Sequence, residues 1–526
     1  MTLAEEDKIA ATTYTGEKAE GIEGPRFGEK PETTLREDVA AYGLEKVYER
    51  HGRVDLVPLP SDSPLDPYNW SSWKKNLLLF QVAFGAMLGP FSAAATIPAF
   101  EAFTEDFNIS ITQASYTVSI VILFLCSFLV FGPISQRIGR RPILLGGFLL
   151  SAAMHLAGAY VHSYGAMMTV RVFQGIFLSP PLSIGASMIN EMFFLHQKGT
   201  KIGVWTLMTS LGPPVAPLIF GPVVYHERWQ WIFYILAITN LVQFVVFIFF
   251  GPETLYNRPV RGDSGSSTYA EPPSSRKEAW WRPYVTFQRW DRTPWSRAPA
   301  EMIHCFTLFA APTVMIPTLA YSVAFSYSSV LLTVEIPALL GRRYMLTSQG
   351  VGLQFIAACV GAILGELFAG KGSDWFMLYR TKRAGGNREA EMRLPFAFPG
   401  YLLSGVGIIV FGTTLQASDP GHWNIRPLIG VAIALFGTQL LTTVTYSYAI
   451  ESMPSLAPRV PAFIATVRQV YAFTAPFYLN LIFEEMGDAK ASGLLGALTT
   501  GIGFITTTVC LVYGKRWREK QLSRYD

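Results

Sequence analysis

Long apolar stretches separated by short polar segments repeat along the whole chain. Twelve of them approach the ~20 residues that an α-helix needs to cross the hydrocarbon core of a bilayer. The first six lie near residues 76–98, 111–131, 142–161, 165–189, 202–224 and 230–250. The other six lie near residues 303–333, 347–369, 395–416, 426–449, 460–482 and 491–513. This pattern predicts an all-α membrane protein with 12 transmembrane helices in two six-helix bundles.

Polar segments mark the expected domain boundaries. They separate a disordered cytoplasmic tail over 1–70, a first bundle over 71–252, a central loop over 253–300, a second bundle over 301–513 and a second cytoplasmic tail over 514–526. A short helix is expected near residues 37–50. Aromatic and arginine residues alternate between positions 280 and 297, which is typical of an amphipathic helix lying in the lipid headgroup plane. A nucleic-acid stacking surface is the disfavoured alternative, because this loop adjoins a membrane face.

Lysine and arginine are distributed unevenly between the two sets of loops. If the N-terminus lies inside the cell, 35 of the 42 lysine and arginine residues fall in segments on the inner side. Positively charged residues collect in the cytoplasmic loops of membrane proteins. We therefore predict a multi-pass protein of the cell membrane with both termini in the cytoplasm.

Composition supports membrane embedding and disfavours several functions. Half of the residues are hydrophobic and 15% are charged, compared with about 25% charged residues in soluble domains. A net charge of +4 without a dense basic stripe disfavours a nucleic-acid partner. The four cysteines lie in apolar stretches without the spacing of a metal site or a disulfide framework, and the chain has no ATP-binding loop or nucleophile–base pair. We expect no cofactor, no metal and no enzymatic activity.

The segment from Gly132 to Pro142 places three arginines and a tight turn between two apolar stretches. Its glycines permit close backbone approach, and its arginines can bind helix C-termini, carboxylates or anionic lipid. A shorter segment that partly matches it, with the sequence GKGSD, follows the eighth stretch at residues 370–374. The Gly-x-x-Ser spacing shared by the two segments indicates an internal duplication, which is typical of transporters.

The first of these segments resembles the loop motif Gly-x-x-x-Asp-Arg-x-Gly-Arg-Arg of the major facilitator superfamily. That resemblance implies the major facilitator fold, in which two bundles rock about a central site, and a charge relay that locks the outward-open state. The family's aspartate is Gln136 here, and a glutamine supplies no full charge. The first-half latch is therefore expected either to be weaker or to use other partners, such as Glu191 or Glu253. The residues assigned to this conformational gate are Gly132, Gln136, Arg137, Gly139, Arg140, Arg141, Gly370, Ser373 and Asp374.

A second motif lies in the fourth stretch, where Arg171, Gln174 and Gly175 resemble the family's Arg-x-x-Gln-Gly motif. The family links that arginine to proton handling in antiporters. An arginine within a span costs ~2.5–3.5 kcal/mol on insertion scales, so a role for it is expected. A structural partner inside the bundle is the alternative.

A third motif lies in the fifth stretch, where Gly212, Pro213 and Pro217 resemble the Gly-Pro-x-x-Gly-Gly motif of the antiporter branch. An ordinary helix kink is the alternative reading, because proline removes a backbone donor. Residues 66–70 and 446–454 resemble the corresponding segments of fungal twelve-span drug:proton antiporters. Together these segments extend the resemblance over most of the chain.

Proton coupling needs an ionisable group within the membrane or at its edge. The candidate coupling residues are Arg171, Glu366, Glu451 and Arg468. Glu366 and Glu451 could each equally be a structural partner of an arginine, with Arg468 the obvious one for Glu451. His304 is expected to be interfacial rather than catalytic. The fold implied by the resemblance lines its cavity from spans 1, 4, 7 and 10, which nominates, besides Arg171, Gln81, Tyr321, Tyr327, Gln439 and Tyr446.

These features predict a secondary active transporter that couples protons to the efflux of a small organic molecule, a drug or a secondary metabolite. The aromatic and amide side chains suit an amphipathic solute that is neutral or weakly anionic, although the tyrosines could simply pack. Uptake of an organic solute such as a polyamine or a carboxylate is the alternative. A non-transporting nutrient sensor is an alternative of another class. The expected partners are the substrate, protons and the lipid bilayer, with the protein as a monomer.

Overall fold

Every regular element of the described chain is a helix. The computed structural model describes residues 56, 58, 60, 61, 63–256, 284, 303, 305–383, 389–453, 456 and 459–525. The helix expected near residues 37–50, the interfacial segment of the central loop apart from Tyr284, and His304 lie outside these residues.

The first half contains six helical spans. In chain order, spans 1 to 6 are Ser72–Phe107, Ile111–Ile138, Arg140–Ala159, Tyr164–Met192, Leu195–His226 and Gln230–Phe250. Three of them consist of shorter helices joined end to end. Span 1 contains Ser72–Ala94, Ile97–Ala99 and Phe100–Phe107; span 2 contains Ile111–Phe124, Leu125–Ser127 and Phe128–Ile138; span 4 contains Tyr164–Leu178 and Pro180–Met192.

The second half contains six further spans. Spans 7 to 12 are Pro312–Val334, Ser348–Arg383, Ala390–Gln416, Arg426–Ser452, Val460–Met486 and Asp488–Tyr525. Span 7 contains Pro312–Phe325 and Ser326–Val330 and ends inside the helix Leu331–Ile336, after which Pro337–Gly341 and Arg342–Tyr344 follow. Span 9 contains Ala390–Phe396 and Ala397–Gln416. Eleven of the helices in the described chain are long and apolar enough to cross a membrane. The remaining span, Val460–Met486, has 27 residues, so the twelve-span expectation is confirmed.

Local sequence explains where spans 2 and 3 begin. Ser110 caps span 2, because its hydroxyl accepts from the backbone N–H of Gln113 at 3.1 Å while the Gln113 side chain accepts from the Ser110 N–H at 2.9 Å. Gly139 separates spans 2 and 3 with a φ of 106°, a value that L side chains rarely adopt. The expected hairpin turn therefore depends on this glycine. We call the end of the molecule that holds this turn the basic end.

Two helices extend beyond their apolar stretches. The helix Ser348–Arg383 runs through residues 370–374, so this segment is helical, unlike the turn at Gly132–Pro142. The final helix likewise continues to Tyr525, through the segment assigned to the C-terminal tail. In both places the apolar stretch ends before the helix does, because hydropathy reports the depth of the bilayer and helices can extend beyond it.

The boundary of the disordered N-terminal tail also needs correction, because residues 63–70 are folded. Asp66 caps the short helix Pro67–Asn69 by accepting from the Tyr68 N–H at 3.1 Å. The Tyr68 side chain is buried, and its hydroxyl donates to the carbonyl oxygen of Asn190 at 2.8 Å. The segment before span 1 is thereby attached to the end of span 4.

Candidate functional site

Arg140 is the centre of a buried polar cluster at the basic end of the first half. Its guanidinium group donates to Ser135 Oγ at 2.6 Å and forms an ion pair with Glu191 at 2.8 Å. The other carboxylate oxygen of Glu191 accepts from the Thr254 hydroxyl at 2.5 Å. Only 6% of the Arg140 side chain and 18% of the Glu191 side chain are exposed. The pair is therefore largely shielded from water.

Glu253 is the second acid of this cluster. Its carboxylate accepts the backbone N–H groups of Arg140, Arg141 and Leu255, each at 3.0 Å. It thereby satisfies two of the donors left open where span 3 begins. Burial raises the pKa of Glu253 above its ordinary value, and the backbone hydrogen bonds oppose that rise. Both acids expected as substitutes for the missing aspartate thus contact this turn.

The other residues of the turn occupy different environments. Arg141 donates to the carbonyl oxygens of Gly251 and Ile248, each at 2.8 Å, and also to that of Tyr284. These bonds satisfy carbonyl groups at the end of span 6. Arg137 is fully buried and donates to the carbonyl oxygen of Pro133 at 3.5 Å, whereas Gln136 is exposed.

A matching cluster lies in the second half around Arg393. Its guanidinium group donates to Ser373 Oγ at 2.8 Å and forms ion pairs with Asp374 and Glu451, each at 3.2 Å. Asp374 is 70% exposed, whereas Glu451 is 25% exposed. Gly370 has open space around its Cα. Sequence reasoning missed Arg393, because it belongs to no motif and follows Ser373 by 20 residues.

Arg171 occupies a separate polar cluster inside the first half. It is fully buried and donates to the Ser92 carbonyl oxygen at 3.0 Å, to Gln174 Oε1 at 3.1 Å and to Thr96 Oγ1. Its guanidinium carbon lies 5.6 Å from the centre of the Phe233 ring. Among the residues that the structure describes, no acid forms an ion pair with Arg171. Neutral hydrogen-bond acceptors and the face of the Phe233 ring therefore stabilise the positive charge of Arg171.

His155 in span 3 extends this cluster and was not among the sequence candidates. Its Nδ1 lies 2.7 Å from the Ser151 carbonyl oxygen, and its Nε2 lies 2.7 Å from Ser92 Oγ. Because a carbonyl oxygen only accepts, Nδ1 carries the proton in neutral His155, and Ser92 donates to Nε2. The side chain is fully buried. Its one sequence signal is a histidine in the middle of an apolar stretch.

The glycines of the span 4 and span 5 motifs lie where helices cross closely. A methyl group at Gly212 would lie 2.9 Å from the Met87 carbonyl oxygen in span 1, and one at Gly175 would lie 2.8 Å from Phe124 Cβ in span 2. Pro213 and Pro217 lie inside the uninterrupted helix Leu195–His226. Close packing of spans 5 and 1 therefore depends on the motif glycine.

Spans 5 and 8 bring the two halves together. A methyl group at Gly221 would lie 2.9 Å from the Cα of Gly352. Nearer the basic end, the Thr206 hydroxyl donates to Glu366 Oε1 at 3.1 Å. Glu366 has no ion pair among the described residues. It is an acid at the contact between the halves with a single neutral partner.

The candidate cavity residues form two groups. Arg468 donates to Tyr321 Oη at 3.3 Å and lies 4.5 Å from the centre of the Phe325 ring, while the Tyr321 and Tyr446 rings are 6.2 Å apart. The structure pairs Glu451 with Arg393, and Arg468, its suggested partner, instead contacts this aromatic group. Tyr327 belongs to the second group, where its hydroxyl lies 3.2 Å from that of Tyr471.

The two glutamines nominated for the cavity are buried in other places. Gln81 and Gln439 are 3% and 6% exposed. A methyl group at Gly365 would lie 2.8 Å from Gln439 Cβ, so Gln439 packs against span 8. Within the described chain, no hydrogen bond joins either side-chain amide to Arg468. Tyr321 and Tyr446 thus lie in the group around Arg468, whereas the side-chain amides of Gln81 and Gln439 are not bonded to it.

A surface cleft of about 390 Å³ opens at the end opposite to the basic end. Its charged lining residues are Arg342, Arg343, Glu484 and Asp488. None of the nominated cavity residues lines it.

Twelve helical spans in two halves, each with a serine–arginine–glutamate cluster at the same end, define a membrane transporter built by duplication. The family model described as Major Facilitator Superfamily matches residues 82–476. The chain belongs to this superfamily. It is accordingly a multi-pass membrane protein and a secondary transporter of a small molecule.

Several relatives and solved structures are similar to this chain. The probable efflux pump mfs2 of Aspergillus flavus is 23% identical over 81% of this chain and 99% of its own length. The multidrug transporter FLR2 of Candida glabrata is 25% identical over 86% of this chain and 75% of its own length. The partially occluded inward-open xylose transporter XylE from E. coli superimposes with a TM-score of 0.57 at 13% identity, covering 84% of this chain and 98% of that one. This last likeness supports the fold alone.

Proposed function

We propose that the protein exports a small organic molecule in exchange for protons by alternating access. The close crossing of Gly212 with span 1 carries this proposal, because it is the antiporter-type motif of span 5 that makes the crossing possible. The relatives named as a probable efflux pump and a multidrug transporter support the same direction of transport.

We assign the structure to an inward-facing state within this cycle. The ion pairs of Arg140 with Glu191 and of Arg393 with Asp374 and Glu451 each join groups of a single half. At the opposite end, Tyr116 of span 2 and Phe477 of span 11 pack with ring centres 4.6 Å apart. We infer that the two clusters exchange partners across the halves when the basic end closes, which makes them the conformational gate.

Glu366 is the acid that best fits a coupling role. It lies between spans 5 and 8, which contact each other across the two halves, and it has a hydroxyl rather than a cation as its partner. Glu451 is bound to Arg393, so its charge is already compensated. An uncompensated carboxylate at a moving contact can take up and release a proton as access alternates. Arg171, with Ser92 and His155, keeps a fixed positive charge in the first half.

Export and its coupling can be tested in cells that express the full chain and are loaded with the anionic dye carboxyfluorescein. We expect lower dye retention than in cells without the protein, and a protonophore should abolish the difference. Glu366→Gln should remove the protonophore-sensitive part. Glu485→Gln, which removes an exposed acid from span 11, is the matched control.

The same experiment separates the competing functions. Higher dye accumulation would favour uptake, and unchanged flux with altered nutrient signalling would favour a sensor. Export that keeps its protonophore sensitivity in Glu366→Gln would remove Glu366 from the coupling step.

We also propose a location in the cell membrane, as a monomer with both termini in the cytoplasm. Terminal tags that antibodies reach only after permeabilisation would support that orientation.

A further inference from the structure

Arg468 carries a charge that no acid among the described residues neutralises. Its Nη1 donates to the Tyr321 hydroxyl, and its Nε is buried without a hydrogen-bond partner. Within the described chain no acid forms an ion pair with it, whereas Arg140 and Arg393 both have carboxylate partners. A guanidinium group inside a span costs ~2.5–3.5 kcal/mol on insertion scales. One that is retained with neither an acid nor a full set of hydrogen-bond acceptors among the described residues therefore points to a ligand.

The position of Arg468 places it between the two halves. Tyr321 and Phe325 belong to span 7, and the other electrostatic neighbours of its guanidinium group are Tyr446 of span 10 and Cys126 of span 2. Span 2 belongs to the first half and the other spans to the second. Two-bundle transporters bind their substrates at such a junction.

The other buried arginine provides the contrast. Arg171 is enclosed within one half, where Ser92, Thr96 and Gln174 accept its hydrogen bonds. Both arginines leave Nε without a hydrogen-bond partner among the described residues. The Nη groups of Arg171 nevertheless have three acceptors there, whereas those of Arg468 have one, at 3.3 Å, and an aromatic face beside them. Arg171 is therefore part of the scaffold, whereas Arg468 has Nη donors left for a molecule that enters between the halves.

We propose that Arg468 binds the carboxylate of an organic anion whose apolar body packs against Phe325 and Tyr446. A guanidinium group presents paired donors that match a carboxylate in a bidentate geometry, and flanking rings accommodate an aromatic or aliphatic body. The same charge repels a polyamine. This inference rests on the proposed function, since it names the substrate class of that transporter.

Binding of a matched pair of probes tests the proposal on the purified full-length protein. We would measure the affinity of 2-naphthoate and of 2-naphthamide by calorimetry, because the two differ in the carboxylate but hardly in shape. The wild-type protein should bind the carboxylate about tenfold more tightly than the amide. Arg468→Gln should bring the ratio of the two affinities close to one. Arg468→Lys keeps the charge but loses the paired donors, and should lower the ratio at least about threefold.

A matched control removes an arginine elsewhere. Arg426→Gln deletes the same charge at an exposed position and should leave the ratio unchanged. Each variant must show a cooperative thermal transition, and Arg468→Lys decides the question if Arg468→Gln does not fold. Inorganic phosphate that binds as tightly as naphthoate would indicate a simple anion site and would overturn the organic-carboxylate assignment.

The dye assay separates the two proposals. Active dye export without any carboxylate preference in the wild-type protein would overturn the Arg468 site and leave the transporter standing. An Arg468-dependent carboxylate preference without export would keep the site and overturn the export function.

Discussion

The basic ends of the two halves hold the same cluster in different sequence settings. In the first half, Arg140 follows Ser135 by five residues and binds Glu191 at the end of span 4. In the second half, Arg393 follows Ser373 by 20 residues and binds Glu451 at the end of span 10. The duplicated fold has preserved a contact in space, although the position of its arginine in the sequence has changed.

The supporting groups of the two clusters differ. The first half adds Glu253, a buried acid that accepts three backbone N–H groups. The second half adds Asp374, an exposed acid on the same arginine. The first cluster is therefore held mainly by buried bonds, which explains how it tolerates Gln136 in place of the family's aspartate. We expect it to be the more stable of the two.

Removal of Arg140 or Arg393 should have the largest effect on stability and is therefore the strongest test of the comparison between the two clusters. Arg140→Gln and Arg393→Gln each leave a shielded glutamate without its cation, which should lower the free energy of unfolding by ~3–5 kcal/mol. Thermal unfolding of the purified protein measures the loss, which should be larger for Arg140→Gln. Lys515→Gln removes an exposed ion pair and serves as control, with little or no expected change because solvent screens that pair. Equal small losses in all three variants would contradict shielded clusters.

Removal of each serine should have a smaller effect. Ser135→Ala and Ser373→Ala delete one hydrogen bond to a charged group, with an expected loss of ~1.5–3 kcal/mol. Double-mutant cycles with the arginine variants isolate the serine–arginine term. A coupling energy near zero in one half alone would show that the two clusters are not functional equivalents.

The pH dependence of the free energy of unfolding tests the role of Glu253 in the first cluster. Because burial raises its pKa above the ordinary 4.5, the folded protein holds this proton more tightly than the unfolded chain. The contribution of Glu253 is therefore fully present below about pH 4.5 and is lost as the pH rises through the folded-state pKa. Melting curves of the wild-type protein and Glu253→Gln should diverge with rising pH in that window. Parallel curves would contradict the raised pKa.

Substitutions at Gln136 and Asp374, the exposed residues that differ between the two clusters, should have the smallest effect on stability. Gln136→Asp and Asp374→Asn both act at exposed positions, where an ion pair contributes ~0–1 kcal/mol. Gln136→Asp should favour the outward-open state slightly, and Asp374→Asn should oppose it. Accessibility of a cysteine introduced at Tyr116 would measure the balance. A change of state in the opposite sense in both variants would overturn the assignment of these positions to the gate.

The sequence predicted the spans well because an apolar stretch of fixed length is a direct consequence of the bilayer. It predicted the ends less well, and span 8 extends to Arg383 although its apolar stretch ends near residue 369. The Gly-x-x-Ser echo correctly indicated a duplication. It did not indicate that a continuous helix would present Ser373 and Asp374 to an arginine from the next span.

The sequence could not predict which side chains tertiary packing would bring into contact at the site. Arg393 belongs to no motif, and its role depends on the packing of spans 8, 9 and 10. His155 reaches Arg171 only through Ser92 of span 1. The pairing suggested between Glu451 and Arg468 failed for the same reason, since two opposite charges 17 positions apart in the sequence can face different neighbours.

The short helix before span 1 connects the N-terminal segment to the Arg140 cluster. The Tyr68 hydroxyl donates to the carbonyl oxygen of Asn190, the residue next to Glu191, so we expect a displacement of this segment to move the acid that binds Arg140. A protein shortened to begin at Ser71 would retain every span and yet lose this tether. Expression strategies that trim the N-terminus would then yield a folded transporter with an altered opening rate, so Asp66 sets the boundary at which trimming should stop.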